Sequence, residues 1–256
     1  MRRIFFATAF AVLLVSAILM MGLGCSDENS MGPAEITAAG DISQAVVGSA
    51  VGEPTFVETF DLHSNVGGWS FFGNPHNRIE VIEPKDGNPG AFLHATCDKH
   101  GCLDTYAPQL RTPIGEPSIF TGNYRDRNVT RVGVDIAIFG AAATGGRPLS
   151  LLLRNENGTP YDFSDDVLAF WTGTKPIPQP NGLFKEFEID IPSHSTTLPK
   201  GWKIMSGYST GDDDADWNTV INDVSQITFF FGDPEMFFMF QLWDIGVDNV
   251  SIWYDQ

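Results

Sequence analysis

Phe184-Lys185-Glu186-Phe187-Glu188-Ile189-Asp190-Ile191 decides the fold class. Phe187, Ile189 and Ile191 alternate with Glu186, Glu188 and Asp190. A period of two puts the apolar side chains on one face of an extended strand and the charges on the other. Val132, Val134, Ile136 and Ile138 repeat the pattern. Outward from these two stretches, strands are expected over 55–60, 78–82, 91–96, 131–139, 149–154, 168–172, 184–191, 226–231 and 246–254. Turn signals fall between them, among them Asn88-Pro89-Gly90, Gly145-Gly146 and Asn157-Gly158. Only 217–224 (WNTVINDV) reads as helix. Many strands with so little helix imply an all-β chain, a jelly-roll β-sandwich of two antiparallel sheets with at most one or two short helices.

The amino terminus sets the compartment. Arg2 and Arg3 precede an apolar run that ends in Gly22-Leu23-Gly24-Cys25. Small residues directly before a cysteine read as a lipoprotein-type signal over 1–24, with Cys25 as the lipidated first residue of the mature chain. Gly22 stands where such signals usually carry Leu. The alternative is an uncleaved anchor, since about 20 apolar residues span a bilayer. Either reading puts the protein outside the cytoplasm and on a membrane. Ser26, rather than Asp, after Cys25 points to the outer membrane of the cell envelope. Residues 25–52 have the small, polar composition of a linker, which leaves 53–256 as one β-sandwich domain. Cys97 and Cys102 remain as a pair, and an oxidising compartment favours a disulfide between them. The competing reading is a metal site with His94 and His100, although no second ligand pair stands at zinc spacing.

Charge narrows the partners. The 32 Asp and Glu outnumber 15 Lys and Arg for a net charge of −17, and losing Arg2 and Arg3 makes the mature chain two charges more negative. Nucleic acid is excluded as the natural partner, because its binding depends on cationic groups that neutralise phosphates. Anionic lipid headgroups are disfavoured for the same reason, whereas neutral glycans and divalent cations suit the balance.

The order of elements resembles laminin IV-type and galactose-binding-like (carbohydrate-binding-module-like) extracellular jelly rolls. The residues that carry the likeness are Glu58-Thr59-Phe60-Asp61 and Gly67-Gly68-Trp69, then Gly87-Asn88-Pro89-Gly90-Ala91-Phe92-Leu93 and Tyr106-Ala107-Pro108. Phe120-Thr121-Gly122-Asn123, the stretches 132–139 and 184–191, Trp202, 220–227 and Gly246-Val247-Asp248-Asn249-Val250-Ser251-Ile252 complete it. The resemblance implies a structural Ca²⁺ where the first and last strands meet, with ligands from Glu58 or Asp61 and from Asp248. Several hard oxygen donors must converge there; the alternative is that these acids cap turns.

Other clusters are less specific. Asp212, Asp213, Asp214 and Asp216 give a D-x-D-x-D spacing, but Trp217 occupies the sixth place, where a calcium loop needs Gly, and Asp223 the twelfth, where it needs Glu. An N-cap for the following helix, at Asp214 or Asp216, explains them better. Trp69, in GGWSFFGN beside Asn74, His76 and Asn77, lies in a loop-like setting, as do Trp171 before a Pro-rich segment and Trp217 after the acids. Flat rings with polar neighbours suit sugar C–H faces, so Trp69, Asn74, His76, Trp171 and Trp217 are the candidate ligand-binding residues. Trp202, Trp243 and Trp253 read as core. Glu188 and Asp190 begin an E-x-D-x-x-E motif, but Ser193 takes the place of its last acid. A retaining glycosidase needs both carboxyls, and no catalytic residue is assigned. The expectation is a lipid-anchored, cell-surface module that binds a glycan or cell-surface polymer. A glycan hydrolase or lyase with an unrecognised site, or a structural protein with a protein partner, are the alternatives.

Overall fold

The computed structural model describes residues 52–72, 78–97, 104–140, 146–236, 238–241 and 243–255. The signal, Cys25, the linker up to residue 51, Asn74, His76, His100 and Cys102 lie outside the described residues, as does the side chain of Cys97. The lipid anchor and the cysteine pairing therefore stay as expectations.

Residues from Ala50 to Gln256 form one compact unit. Its strands are β1 (Phe56–Glu58), β2 (Ser70–Phe72), β3 (Arg78–Gly87), β4 (Gly90–Cys97), β5 (Asp104–Tyr106), β6 (Gln109–Arg111) and β7 (Arg131–Ile138). There follow β8 (Pro148–Asn155), β9 (Val167–Pro176), β10 (Lys185–Asp190), β11 (Trp202–Ile204), β12 (Gln226–Phe230), β13 (Phe238–Gln241) and β14 (Ile245–Trp253). One sheet runs β10-β7-β14-β4-β3, with β1 also on β14, and the other runs β11-β9-β8-β12-β6-β2. A separate ribbon pairs β13 with β5. All the pairings are antiparallel. This is the two-sheet sandwich expected from the alternation.

The apolar positions of the first stretches face inward. Val132, Val134, Ile136 and Ile138 join Phe187, Ile189, Leu93, Val247 and Ile252 in one core with Leu149, Leu151, Leu153, Ile227, Phe229 and Leu110 from the other sheet. Each fully buried Leu or Ile stabilises the fold by about 1.5–3 kcal/mol through removal of apolar surface from water.

Two details of the first sheet matter for the sites below. The same edge of β14 is shared: β4 pairs with Ile245–Val247 and β1 with Val250–Ile252. Asp248 and Asn249 fall in the gap between them, beside an irregularity in the pairing with β7. Helix α1 (Asp213–Asn222) starts a turn earlier than the sequence implied. Its N-cap is Asp212, whose carboxylate accepts from the Ala215 amide at 3.1 Å, not Asp214 or Asp216. Asp213, Asp214 and Asp216 then lie in the first turn, where the helix dipole favours negative charge. Asp216 is buried and accepts from Ser209 Oγ (2.7 Å) and from Thr210 N and Oγ1 (2.9 and 2.6 Å). The acidic run is helix-start chemistry.

Candidate functional site

The outer face of the second sheet carries a cleft of about 240 Å³. Alternation along its strands builds it. On β6, Leu110 enters the core while Gln109 and Arg111 face the cleft; on β12, Ile227 and Phe229 enter the core while Gln226, Thr228 and Phe230 line the cleft. β8 and β9 contribute Leu152, Arg154 and Leu168. Phe72, Ile114, Phe163, Met205, Tyr208 and Pro234 form the rim. The walls are apolar and the floor carries amides, a hydroxyl and two guanidiniums.

Each arginine lies over an aromatic ring. The Arg111 guanidinium is 3.6 Å from the centre of Phe72, and that of Arg154 is 4.7 Å from the centre of Phe163. Arg154 Nε is 2.7 Å from Asp166 Oδ2, with both side chains buried. The approach is off the N–H direction, so among the described residues Arg154 Nε and Nη2 and both Asp166 oxygens have no hydrogen bond. Burial, reinforced by the charge of Arg154, lowers the Arg111 pKa to about 10. Gln226 is braced by donating from Nε2 to the Thr112 carbonyl at 2.8 Å.

The expected aromatic platforms separate. Trp69 is 1% exposed and packs 4.9 Å from the Phe120 ring, while Asn65 binds its backbone through both amide atoms. Trp217 is 0% exposed, donates to the Ser195 carbonyl at 3.0 Å and lies 5.0 Å from the Trp202 ring. Neither ring can meet a ligand. Trp69 stands directly before β2 with its ring turned inward, and Trp217 lies on the buried face of α1 and not in the acidic loop. Trp171 alone reaches the surface, half-buried in a recess with Glu188, Asp190, Pro199 and Lys200. Trp202 and Trp243 are core as expected, and Trp253 is half-buried. Glu188 and Asp190 are held by Arg131 at 2.9 and 3.0 Å.

The gap in the β14 edge brings Asp61 and Asp248 to one turn and leaves Glu58 out. Glu58 is buried, with its two oxygens accepting from the amides of Phe60 and Gly67 at 3.3 and 2.9 Å. Its carboxylate is directed to the backbone of Phe60 and Gly67 and not to the 87–90 turn. The 87–90 turn is different. A side chain at Gly87 would strike the Ala91 and Gly90 carbonyl oxygens and Asp248 Oδ2 at 2.6–2.8 Å, and one at Gly90 would strike Asp61 Oδ1 at 2.7 Å. Among the described residues no three His, Cys, Asp or Glu side chains converge as a ligand group. Two carboxylates with backbone carbonyls are nevertheless a hard donor set of the kind Ca²⁺ takes. Asp248 is fully buried and accepts from the amides of Asn88 and Asn249 at 2.6 and 2.7 Å. Desolvation, followed by the charges of Asp135 and Asp61, outweighs those bonds and raises its pKa to about 7.

Missed altogether were Arg111, Arg154, Asp166, Phe163 and Tyr208. The signal that could have found them is polar residues at alternate places in otherwise apolar strands, as in QLR, QITFF and LLLRN.

No family model and no curated protein matches this chain. Among solved structures it is similar to a xylan-binding domain from carbohydrate-binding module family 22, at 10% identity and TM-score 0.41, over 78% of this chain and 94% of that one. It is also similar to the K1 cleaved adhesin domain of Lys-gingipain from Porphyromonas gingivalis, at 13% identity and TM-score 0.39, covering 78% and 98%. A third likeness is the L4b domain of human laminin alpha-2, at 12% identity and TM-score 0.37, covering 73% and 98%.

Proposed function

We propose that this domain is a glycan-binding module of the cell envelope, tethered through lipidated Cys25 and steadied by Ca²⁺ at Asp61 and Asp248. The observation that carries the binding reading is the cleft on the second sheet. Apolar walls from Phe72, Phe163, Phe230 and Leu152 suit the C–H faces of a pyranose, and Gln109, Gln226, Thr228 and Tyr208 supply partners for hydroxyls. Strands β2, β6, β8 and β12 hold Phe72, Gln109, Leu152, Gln226, Thr228 and Phe230 in place, so a sugar would pay little ordering cost on docking against them.

The test is a glycan array probed with the full chain in neutral detergent, with Ca²⁺ and then with chelator. Binding to a defined glycan class is expected. Phe163 is half-exposed at the rim, so Phe163→Ala spares the fold and should weaken that binding about tenfold. Loss of binding in Trp171→Ala, with Phe163→Ala unaffected, would move the site to the Trp171 recess. No binding to any glycan would sink the reading in favour of a protein partner. For the anchor, palmitate labelling that disappears in Cys25→Ala is the expected result.

A further inference from the structure

The net charge argues for a neutral ligand, but the cleft holds the opposite local charge. We infer that the cleft selects an acidic glycan, with Arg111 receiving an anionic substituent of the sugar and Arg154 adding positive charge beneath it; this rests on the glycan reading above. Arg154 is buried beside Asp166, and its Nη2, which finds no hydrogen-bond partner among the described residues, is enclosed in the floor. Arg111 finds no hydrogen-bond or ion-pair acceptor among the described residues; its contacts are the Phe72 face and the repulsion of Arg154. The lining carries two guanidiniums and one carboxylate, and burial pushes the nearby Glu156 carboxyl toward its neutral form, which leaves the cleft locally positive inside a strongly acidic protein. A half-buried guanidinium with unused donors, as at Arg111, gains when an anion accepts from it.

Stacking also sets the direction of the donors. Phe72 and Phe163 each occupy one side of a guanidinium, and the N–H groups are the donors through which Arg111 can bind. A planar carboxylate, or a sulfate, accepts side-on from such donors through two oxygens, and the surrounding low dielectric strengthens the contact. A neutral hydroxyl can take one such bond and leaves the charge uncompensated. The ligand class is therefore a pyranose bearing a carboxylate or sulfate.

The test compares oligogalacturonate with its full methyl ester, which keeps the sugar and removes the charge, and adds a sulfated galactan oligosaccharide. Titration calorimetry of the full chain in neutral detergent should give oligogalacturonate or the sulfated oligosaccharide at least about tenfold tighter than the ester. Whichever of the two acids binds tighter identifies the anionic group. Arg111→Gln should abolish the preference, Arg111→Lys should restore part of it, and Arg131→Gln on the other sheet should leave it unchanged. Equal or tighter binding of the ester overturns the acidic preference and leaves glycan binding standing. Absence of binding to these probes and to every glycan on the array sinks both.

Discussion

Asp248 shows how much one side chain's position can carry. In the unfolded chain its carboxyl loses its proton near the usual pH 3.8, whereas in the fold it keeps it to about 7. Between those values the unfolded state binds fewer protons, so stability falls as pH rises and the whole loss is present above pH 7. Thermal melts in chelator should therefore show Tm dropping from pH 5 to pH 8. Ca²⁺ should reverse that drop by favouring the ionised form, and Asp61→Ala should remove most of the reversal. A flat profile in chelator would refute the account. Arg154 and Asp166 make a second test at this scale. Replacing either partner alone strands a buried charge, and Asp166→Ala should cost about 3–5 kcal/mol in denaturant unfolding. Neither residue could be singled out beforehand, since an Arg closing an apolar strand and an Asp in an acidic loop look ordinary until the fold sets them 2.7 Å apart.

At the scale of elements, the long strands and β1 were readable and the other short ones were not. β7 and β10 announce themselves because alternation over six or more residues is hard to produce otherwise. β2, β5, β6 and β11 are three residues each, too short to display a period. They exist because neighbouring strands offer an edge to pair with. Two of them, β2 and β6, carry Phe72, Gln109 and Arg111, which is why that side of the cleft was invisible in the sequence. The helix start was readable in kind but misplaced by a few residues, because any of four acids could have been its cap. Asp212→Ala should cost about 1 kcal/mol in chemical denaturation, and the same change at Asp213 much less. Equal costs would mean the cap is not at Asp212.

Taken whole, the molecule keeps its two proposed sites on different sheets, the acidic turn on one and the cleft on the other. Chelation should accordingly lower Tm while leaving glycan affinity within about twofold, a result that calorimetry with and without Ca²⁺ would decide. β1 adds a mechanical consequence. It holds three residues of β14, with the Thr55 amide on the Ile252 carbonyl and the Trp253 indole on the Gly52 carbonyl as its outlying bonds. A pull on the chain ahead of Gly52 enters the domain through this short strand, and the turn bearing Asp61 is the next segment to be dragged away. A cation gripped by both Asp61 and Asp248 would then act as a rivet across the seam, so the force at which the domain opens would follow the calcium concentration around it.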